Sequence, residues 1–261
     1  MIRLHPLHAL TLWLALPFGL VGCDDSTAPK NPFEPSPSAP KNPPPLTEAP
    51  KPPQGAPDLA IDTLGPKVGF TRVVLKQPSD AAKLHAELNL HEQFIKDKEV
   101  MLRVDRKSEL NWVAVFISEL SKLGASTVLV KTETRHEFPG QLRFVPQRAL
   151  NNPAPCSVVS MVLEDRGTAV WKLSGGVATK YSKGFAGPDL TMTADALKRF
   201  AKGCSESDLL FISAAQPIEW GLAYDLGASA YKLDPTHFGR LVLLDEVPTA
   251  GRKVELSSGS R

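Results

Sequence analysis

EVMLRVDRKSELNWVAVFISELSKLGASTVLVKT, residues 99–132, is the stretch that decides the fold. Its beginning places Val100, Leu102 and Val104 on one face, which is the period-two pattern of a β-strand. Ser108 is then predicted to cap the start of a helix, and Gly124 is predicted to end it. Between these two residues, apolar side chains recur at helical spacing: Val113, Phe116, Ile117, Leu120 and Leu123.

The segment 126–132 follows this helix and is rich in β-branched residues, which predicts a second strand. A strand, a helix and a strand therefore fit within one short stretch of chain. Such a crossover unit predicts two parallel strands with a right-handed connection.

A similar unit starts 108 residues later in the chain. Residues 209–213 predict a strand, Pro217 falls in the first turn of a predicted helix, and residues 240–245 predict the closing strand. This register equates Leu102 with Leu210, Val104 with Ile212, Leu110 with Ile218 and Trp112 with Trp220. The two tryptophans are therefore expected to begin equivalent helices.

The rest of the folded region fits two halves with this plan. Each half is predicted to begin with an apolar strand, at 71–76 in the first half and at 157–163 in the second. Asp165–Gly167 predicts a hairpin turn into a strand at 168–173, for which the first half shows no counterpart. The remaining predicted elements are helices at 79–95 and 193–202 and short strands near 141–145 and 253–256.

These elements predict an α/β (α+β) fold. We expect two tandem small domains, 58–150 and 151–261, each a sandwich of a mixed sheet with two helices. The boundary falls in the proline- and asparagine-containing stretch at 151–155. Duplication of one module is the simplest explanation, and chance similarity of two common crossover units is the alternative.

The first 22 residues have the pattern of a secretion signal, with Met1 and Arg3 before an apolar run from Leu10 to Gly22. That run is shorter than the roughly 20 residues of a membrane-spanning helix. The segment ends in Leu20-Val-Gly-Cys23, which resembles the bacterial lipobox. This resemblance implies that Cys23 becomes a lipidated N-terminus carrying acyl chains such as palmitate. An ordinary signal peptide with a chance cysteine is the alternative.

Residues 23–57 are expected to form a disordered, proline-rich tether after the lipidated cysteine. Residues 24–57 hold 12 of the 24 prolines and almost no large apolar side chains. A polyproline II spacer of this length would reach on the order of 100 Å. The cell envelope is therefore the predicted location, with the chain anchored to the inner or outer membrane and its folded part periplasmic or extracellular.

If Cys23 is lipidated, Cys156 and Cys204 remain as an even pair in an oxidising compartment. We expect a disulfide between them, with two separate buried thiols as the alternative. The composition also bears on partners: 42% of the residues are hydrophobic, 22% are charged, and the formal net charge is +2. Such a mix is typical of a globular protein and does not suggest a nucleic-acid binder.

A family resemblance rests on the first crossover unit. Val104-Asp105, the helix ending at Leu123-Gly124, and the strand 127–131 followed by Thr132-Glu133 resemble the periplasmic domain of the ExbD/TolR biopolymer-transport family. The turn 217–221, with the sequence PIEWG, is similar in the second half. The resemblance covers roughly residues 67–146 and 156–246.

The resemblance implies a periplasmic interaction fold that dimerises and, in TolR, engages peptidoglycan. Family members carry an N-terminal transmembrane helix with a proton-conducting aspartate, whereas this chain has a signal segment and a lipobox-like Cys23. The resemblance therefore does not extend to proton conduction. In the 108-residue register, Ser213 stands where the family pattern has aspartate, so a repeated role for that carboxylate is not expected.

The search for chemistry finds binding candidates but no catalytic motif. Asp105 lies at a strand end, where α/β proteins often bind ligands, although capping of a turn is the simpler explanation. Trp112 and Trp220 are candidate binding anchors, and packing against the sheet is their alternative role. Charged and titratable residues are expected mainly at the surface: Arg135, Arg143, Arg148, Arg166, His85, His91, His136 and His237.

These observations predict a non-enzymatic, lipid-anchored interaction or scaffolding protein without a cofactor or a metal site. Its candidate partners are the membrane through the N-terminal lipid, a second copy or another protein through exposed sheet edges, a Tol- or Exb-type transport machine, and peptidoglycan. The alternative is a periplasmic binder of small ligands with a cleft between its two halves.

Overall fold

The first half of the chain folds as a strand hairpin, a helix, a strand, a second helix and a closing strand. The computed structural model describes residues 55–256, so the signal segment, Cys23 and the tether up to residue 54 lie outside it. The elements of this half are β1 (Leu59–Asp62), β2 (Gly65–Val68), β3 (Thr71–Arg72), α1 (Ala81–Asn89), β4 (Glu99–Val104), α2 (Leu110–Lys122), β5 (Thr127–Lys131) and β6 (Gln141–Phe144).

The second half repeats this order of elements, with two additional short strands before its first helix and no counterpart of β6. It comprises β7 (Val158–Val162), β8 (Thr168–Lys172), β9 (Thr179–Tyr181), β10 (Lys183–Gly184), β11 (Gly187–Pro188), α3 (Leu190–Lys202), β12 (Leu209–Ala214), α4 (Trp220–Leu233) and β13 (Arg240–Leu243). Strands β10 and β11 form a small separate hairpin.

One mixed sheet runs through both halves. Its order is β3-β2-β1-β4-β5-β6-β13-β12-β7-β8-β9. The five strands β5-β4-β1-β2-β3 of the first half follow the same pattern as β13-β12-β7-β8-β9 of the second, and β6 lies between the two sets. Strand β6 joins the halves because it pairs antiparallel with β5 and parallel with β13. The halves therefore share a continuous sheet instead of forming two separate sheets.

Both predicted crossover units are confirmed. Strand β4 is parallel to β5, and β12 is parallel to β13, with a helix between the strands of each pair. The predicted hairpin at Asp165–Gly167 is also present, because β7 and β8 pair antiparallel around it. A left-handed backbone at Arg166, with φ of 65°, makes the tight turn.

The start of the first half differs from the prediction. The first strand is β1 at Leu59–Asp62, and β2 is the counterpart of β8 that the first half was expected to lack. The predicted strand at 71–76 is reduced to the two exposed residues of β3. The apolar run there was misleading because only Thr71 and Arg72 have ladder partners. The expected strand at 253–256 is likewise not formed.

The helix starts also differ from the prediction. Glu109 precedes α2 with an extended backbone, and the Ser108 hydroxyl donates to the Ile61 carbonyl oxygen at 3.3 Å instead of capping the helix. Pro217 follows a cis peptide bond and lies outside α4, which begins at Trp220 after Glu219. Helices α2 and α4 therefore each begin one residue after a glutamate.

The helices bury apolar stripes against the sheet. In α2, Val113, Phe116 and Leu120 have no exposed surface, as their helical spacing predicts. In α4, Gly227 allows a close approach, because a Cβ at this position would lie 2.6 Å from Ile212 Cδ1 and 3.8 Å from Leu142 Cδ1. Since Leu142 belongs to the first half and Ile212 to the second, α4 packs across the join between them.

A disulfide links Cys156 to Cys204, as expected, with a Cα–Cα distance of 5.4 Å. It connects the residues before β7 to the end of α3. Closing a loop of this length restricts the unfolded chain by about 4 kcal/mol on the chain-entropy argument. Between residues 55 and 256, no helix combines the length and the apolar content that crossing a bilayer requires.

Candidate functional site

The turns that precede α2 and α4 meet where the two halves join. Glu109 and Glu219 form an antiparallel bridge between them. The Leu110 amide donates to the Ile218 carbonyl oxygen at 3.3 Å, and the Trp220 amide donates to the Ser108 carbonyl oxygen at 2.8 Å. Each turn thus makes the same contact with the other, so the halves are related by a two-fold operation at this point.

The bridge fixes which residues are equivalent. Position 109 corresponds to position 219. Strands β4 and β12 have the same offset of 110, because Val104 pairs with Ile61 as Ala214 pairs with Val162. Trp220 therefore corresponds to Leu110. The predicted equivalence of Trp112 and Trp220 is wrong by two residues. Trp112 is half-buried on α2, whereas Trp220 is fully buried.

Trp220 fills the space between the start of α4 and the end of β5. Its indole N–H donates to Thr132 Oγ1 at 2.8 Å, and its ring centroid lies 5.7 Å from that of Phe144. Tyr224 packs edge-on against it at 5.6 Å between ring centroids and donates its hydroxyl to the Pro139 carbonyl oxygen. Burial raises the pKa of Tyr224, so this hydroxyl keeps its proton.

Arg106 closes the same space with an ion pair. Its guanidinium donates to both carboxylate oxygens of Asp225, at 2.9 and 2.8 Å, and Arg135 Nε lies 3.4 Å from Asp225 Oδ2. The hydrogen bonds that Arg106 donates to the Asp225 carboxylate raise the pKa of Arg106. Gly221 leaves room for this arginine, because a Cβ there would lie 3.0 Å from Arg106 Cβ. We call the set Arg106, Trp220, Tyr224 and Asp225 the filled junction site.

The equivalent position in the other half is an open cavity of 320 Å³. It lies between the start of α2, the turn after β12 and the residues after β13. Leu110 stands where the filled junction site has Trp220, and Ala114 stands where it has Tyr224. These smaller side chains leave the space unfilled. We call this cavity the open junction site.

Polar groups line the open junction site beside this apolar wall. The strand registers make Asp245 the counterpart of Thr132. Asp245, Glu109 and Glu246 all line the cavity. Ser213 is among the lining residues, with 1% of its surface exposed, and its buried hydroxyl has no hydrogen-bond partner among the described residues. The cavity therefore combines an apolar body with carboxylates.

The other predicted binding residues do not converge on this site. Asp105 is exposed in a separate open groove of 420 Å³, and its Oδ1 accepts from the Lys107 amide at 2.8 Å, which is the turn-capping role. The 110-residue offset makes Ala215, and not Ser213, its counterpart. Cys23 lies outside the described residues. Trp220 is close to the junction but serves as packing, since no part of it is exposed.

Three more of the predicted surface residues contact carboxylates. Arg143 pairs with Glu99, His237 with Asp234, and His85 Nδ1 lies 3.0 Å from the buried Glu119 carboxylate. In the described part of the chain, no group of three histidine, cysteine or acidic side chains is placed to hold a metal ion.

Comparison of the chain with protein-family models, with curated proteins and with solved structures finds no match.

The sequence contains a signal for the open junction site that the first alignment of the halves obscured. Aligning the halves on their glutamates, 109 with 219, sets Leu110 against Trp220 and Ala114 against Tyr224. Because two aromatic side chains of α4 correspond to smaller side chains on one face of α2, this alignment predicts a cavity beside α2. Asp245 and Ser213 are far from α2 in sequence, so their place beside it follows only from the fold.

Proposed function

We propose that this chain is a non-enzymatic, lipid-anchored envelope protein that acts as an interaction or scaffolding module built from two ExbD/TolR-like halves. Cys23 would carry the lipid, and the proline-rich segment would hold the folded part away from the membrane. Its partner would be a protein, either a second copy or a component of a Tol- or Exb-type machine, with peptidoglycan as a further contact.

The observation that carries this proposal is that the described sheet ends in an outer strand on each side, β3 and β9. Outer strands present unpaired backbone groups that can receive a strand from another chain. The residue before β3, Phe70, is fully exposed, and Val177, which precedes β9, is 89% exposed. An apolar side chain beside each outer strand would add side-chain contacts to the backbone pairing of an incoming strand.

Arg72 offers a test of the β3 edge. Val73 donates its amide inward to the Pro66 carbonyl oxygen, so the alternation of an antiparallel ladder directs the Arg72 amide outward. Arg72→Pro removes this outward donor, whereas Arg72→Ala keeps it. Both variants lose the Arg72–Asp62 ion pair, so the alanine variant is the matched control.

We expect crosslinking of the native envelope followed by mass spectrometry to capture a protein partner with the wild type and Arg72→Ala, and at least fivefold less of it with Arg72→Pro. Light scattering after size exclusion would show whether that partner is a second copy. Equal capture by all three proteins would contradict the role of the β3 edge.

Cys23→Ser should move the protein from the detergent phase to the aqueous phase on Triton X-114 partitioning.

A second candidate function is the binding of a small ligand between the two halves. The specific observation in its favour is the 320 Å³ cavity at their join, which lies within the usual size range of ligand sites.

A further inference from the structure

A fully exposed aromatic side chain lies at the tip of a hairpin in the second half of the molecule. Phe185 belongs to the two-residue turn between β10 and β11, because Gly184 pairs with Gly187 on either side of it. Its chain neighbours, Gly184 and Ala186, are small and do not shield the ring. Among the described elements of the first half, this hairpin has no counterpart.

We propose that this hairpin docks onto a second copy of the chain, with Phe185 of one copy entering the open junction site of the other. The inference goes beyond the proposed use of the sheet edges, because it concerns a different surface and is tested separately from it.

The open junction site has the size and the lining to receive a phenyl ring. In the other half, the equivalent space is filled by the rings of Trp220 and Tyr224, which pack edge-on. Their counterparts, Leu110 and Ala114, leave a cavity of 320 Å³. The filled junction site therefore shows that aromatic rings complete the packing at this position of the fold.

The hairpin and the cavity carry opposite charges. Lys180 and Lys183 are exposed, and residues 178–188 contain no acidic residue. Glu109 and Glu246 are exposed at the cavity, and no lysine or arginine lies among the described residues that line it. Within residues 55–256, none of these four side chains takes part in an ion pair. The two surfaces are therefore complementary in charge as well as in shape.

The hairpin and the cavity also lie at the same end of α4. The backbone of Gly187 passes so close to the first turn of this helix that a Cβ there would lie 3.2 Å from Leu222 Cδ2. Pro217 and Ile218, which precede the helix, line the cavity. Because one end of the molecule carries both elements, two copies related by a two-fold axis exchange their hairpins and close as a dimer.

Phe70 provides a matched control for Phe185. Both side chains are fully exposed, and each lies in a turn between two short strands. The charged residue nearest to Phe70 in sequence, Arg72, is already paired with Asp62. Phe70 therefore matches Phe185 in exposure but not in the charges around it.

The test measures self-association of the full-length chain by sedimentation equilibrium in density-matched detergent. The wild type should dimerise, and Phe185→Ala should raise the dimer dissociation constant by about tenfold, as the loss of an aromatic anchor does. Since Phe185 is fully exposed, this change should leave the urea denaturation midpoint unaltered. Phe70→Ala should change neither quantity. A dimer of unchanged strength in Phe185→Ala would overturn the inference.

Charge exchange provides a second measurement. Lys180→Glu combined with Lys183→Glu should weaken the dimer by about fivefold, because both hairpin charges then repel the cavity carboxylates. Adding Glu109→Lys and Glu246→Lys should restore most of this loss. A dimer that ignores the first pair of changes, or that the second pair does not restore, would contradict the docking of the hairpin at this cavity.

The outcome is distinguishable from that of the β3 edge. A dimer that is lost in Arg72→Pro and retained in Phe185→Ala would overturn the inference and support pairing through the edge. The reverse result would support the inference and leave the edge without a role in self-association. A wild type that stays monomeric at every concentration would overturn the inference, whether or not crosslinking captures another protein at the edge.

Discussion

At the residue scale, one aromatic side chain separates the two equivalent sites at the join. Trp220 is fully buried and hydrogen-bonded to Thr132, while its counterpart Leu110 leaves a cavity beside it. The same backbone arrangement therefore serves as a packed core on one side and as an open site on the other. Side-chain volume at this position, and one turn further along the helix where Ala114 replaces Tyr224, accounts for much of this difference.

Trp220→Leu should lower the free energy of unfolding by about 2–4 kcal/mol, because it removes a large buried ring and its hydrogen bond to Thr132. Urea denaturation followed by circular dichroism measures this change. Trp112→Leu is the matched control. Because Trp112 is half-buried, this variant should lower the free energy of unfolding by less than about 1 kcal/mol. Equal losses in the two variants would contradict the unlike positions of these tryptophans.

At the scale of elements, the turn before α1 depends on one carboxylate. Asp80 accepts hydrogen bonds from the backbone amides of Lys76 and Gln77, each at 3.0 Å, and from Lys83 Nζ at 2.8 Å. These contacts, led by the Lys83 hydrogen bond, lower the pKa of Asp80 from 3.8 to about 2. The charged form is therefore favoured in the folded state.

This shift predicts a pH dependence. Because the folded pKa of Asp80 lies below its unfolded value, its contribution is complete above pH 3.8 and is lost as the pH falls toward 2. Asp80→Asn should flatten the decline of unfolding free energy between pH 4 and pH 2, measured by urea denaturation at each pH. Lys83→Met removes the Lys83 hydrogen bond, which is the largest cause of the lowered pKa of Asp80. This variant should therefore flatten the decline of unfolding free energy in part. An unchanged slope in both variants would refute this role.

The elements also show what the sequence could predict. The crossover units were predictable because their strands and helices carry long, clear periodicities, as in residues 99–132. The strands β1 and β2 were not, because each has four residues and β2 begins with Gly65-Pro66. Such short strands are defined by their ladder partners more than by their own composition.

The register of the two halves was misjudged for a related reason. Tryptophan is a conspicuous landmark, and matching Trp112 with Trp220 moved the alignment by two residues. The true offset is set by backbone pairs such as Glu109 with Glu219, which are distant in sequence. The open junction site depends on that offset and on contacts between α2 and the ends of β12 and β13, so local pattern alone could not predict it.

At the scale of the whole molecule, the shared sheet predicts that both halves unfold together. Strand β6 pairs with β5 and β13, and α4 packs on side chains from both halves. Native-state hydrogen exchange, measured by mass spectrometry, should give the slowest amides of β4 and β12 the same opening free energy. Clearly different values, or two transitions in urea, would instead indicate two independently folding domains.

The two outer strands have a consequence for assembly. Because β3 and β9 terminate the same described sheet on opposite sides, the proposed strand addition would be available at two separate ends. A subunit with a single such end would only terminate a row of neighbours. If both ends receive a strand, the subunit would act as a divalent connector and propagate a linear array.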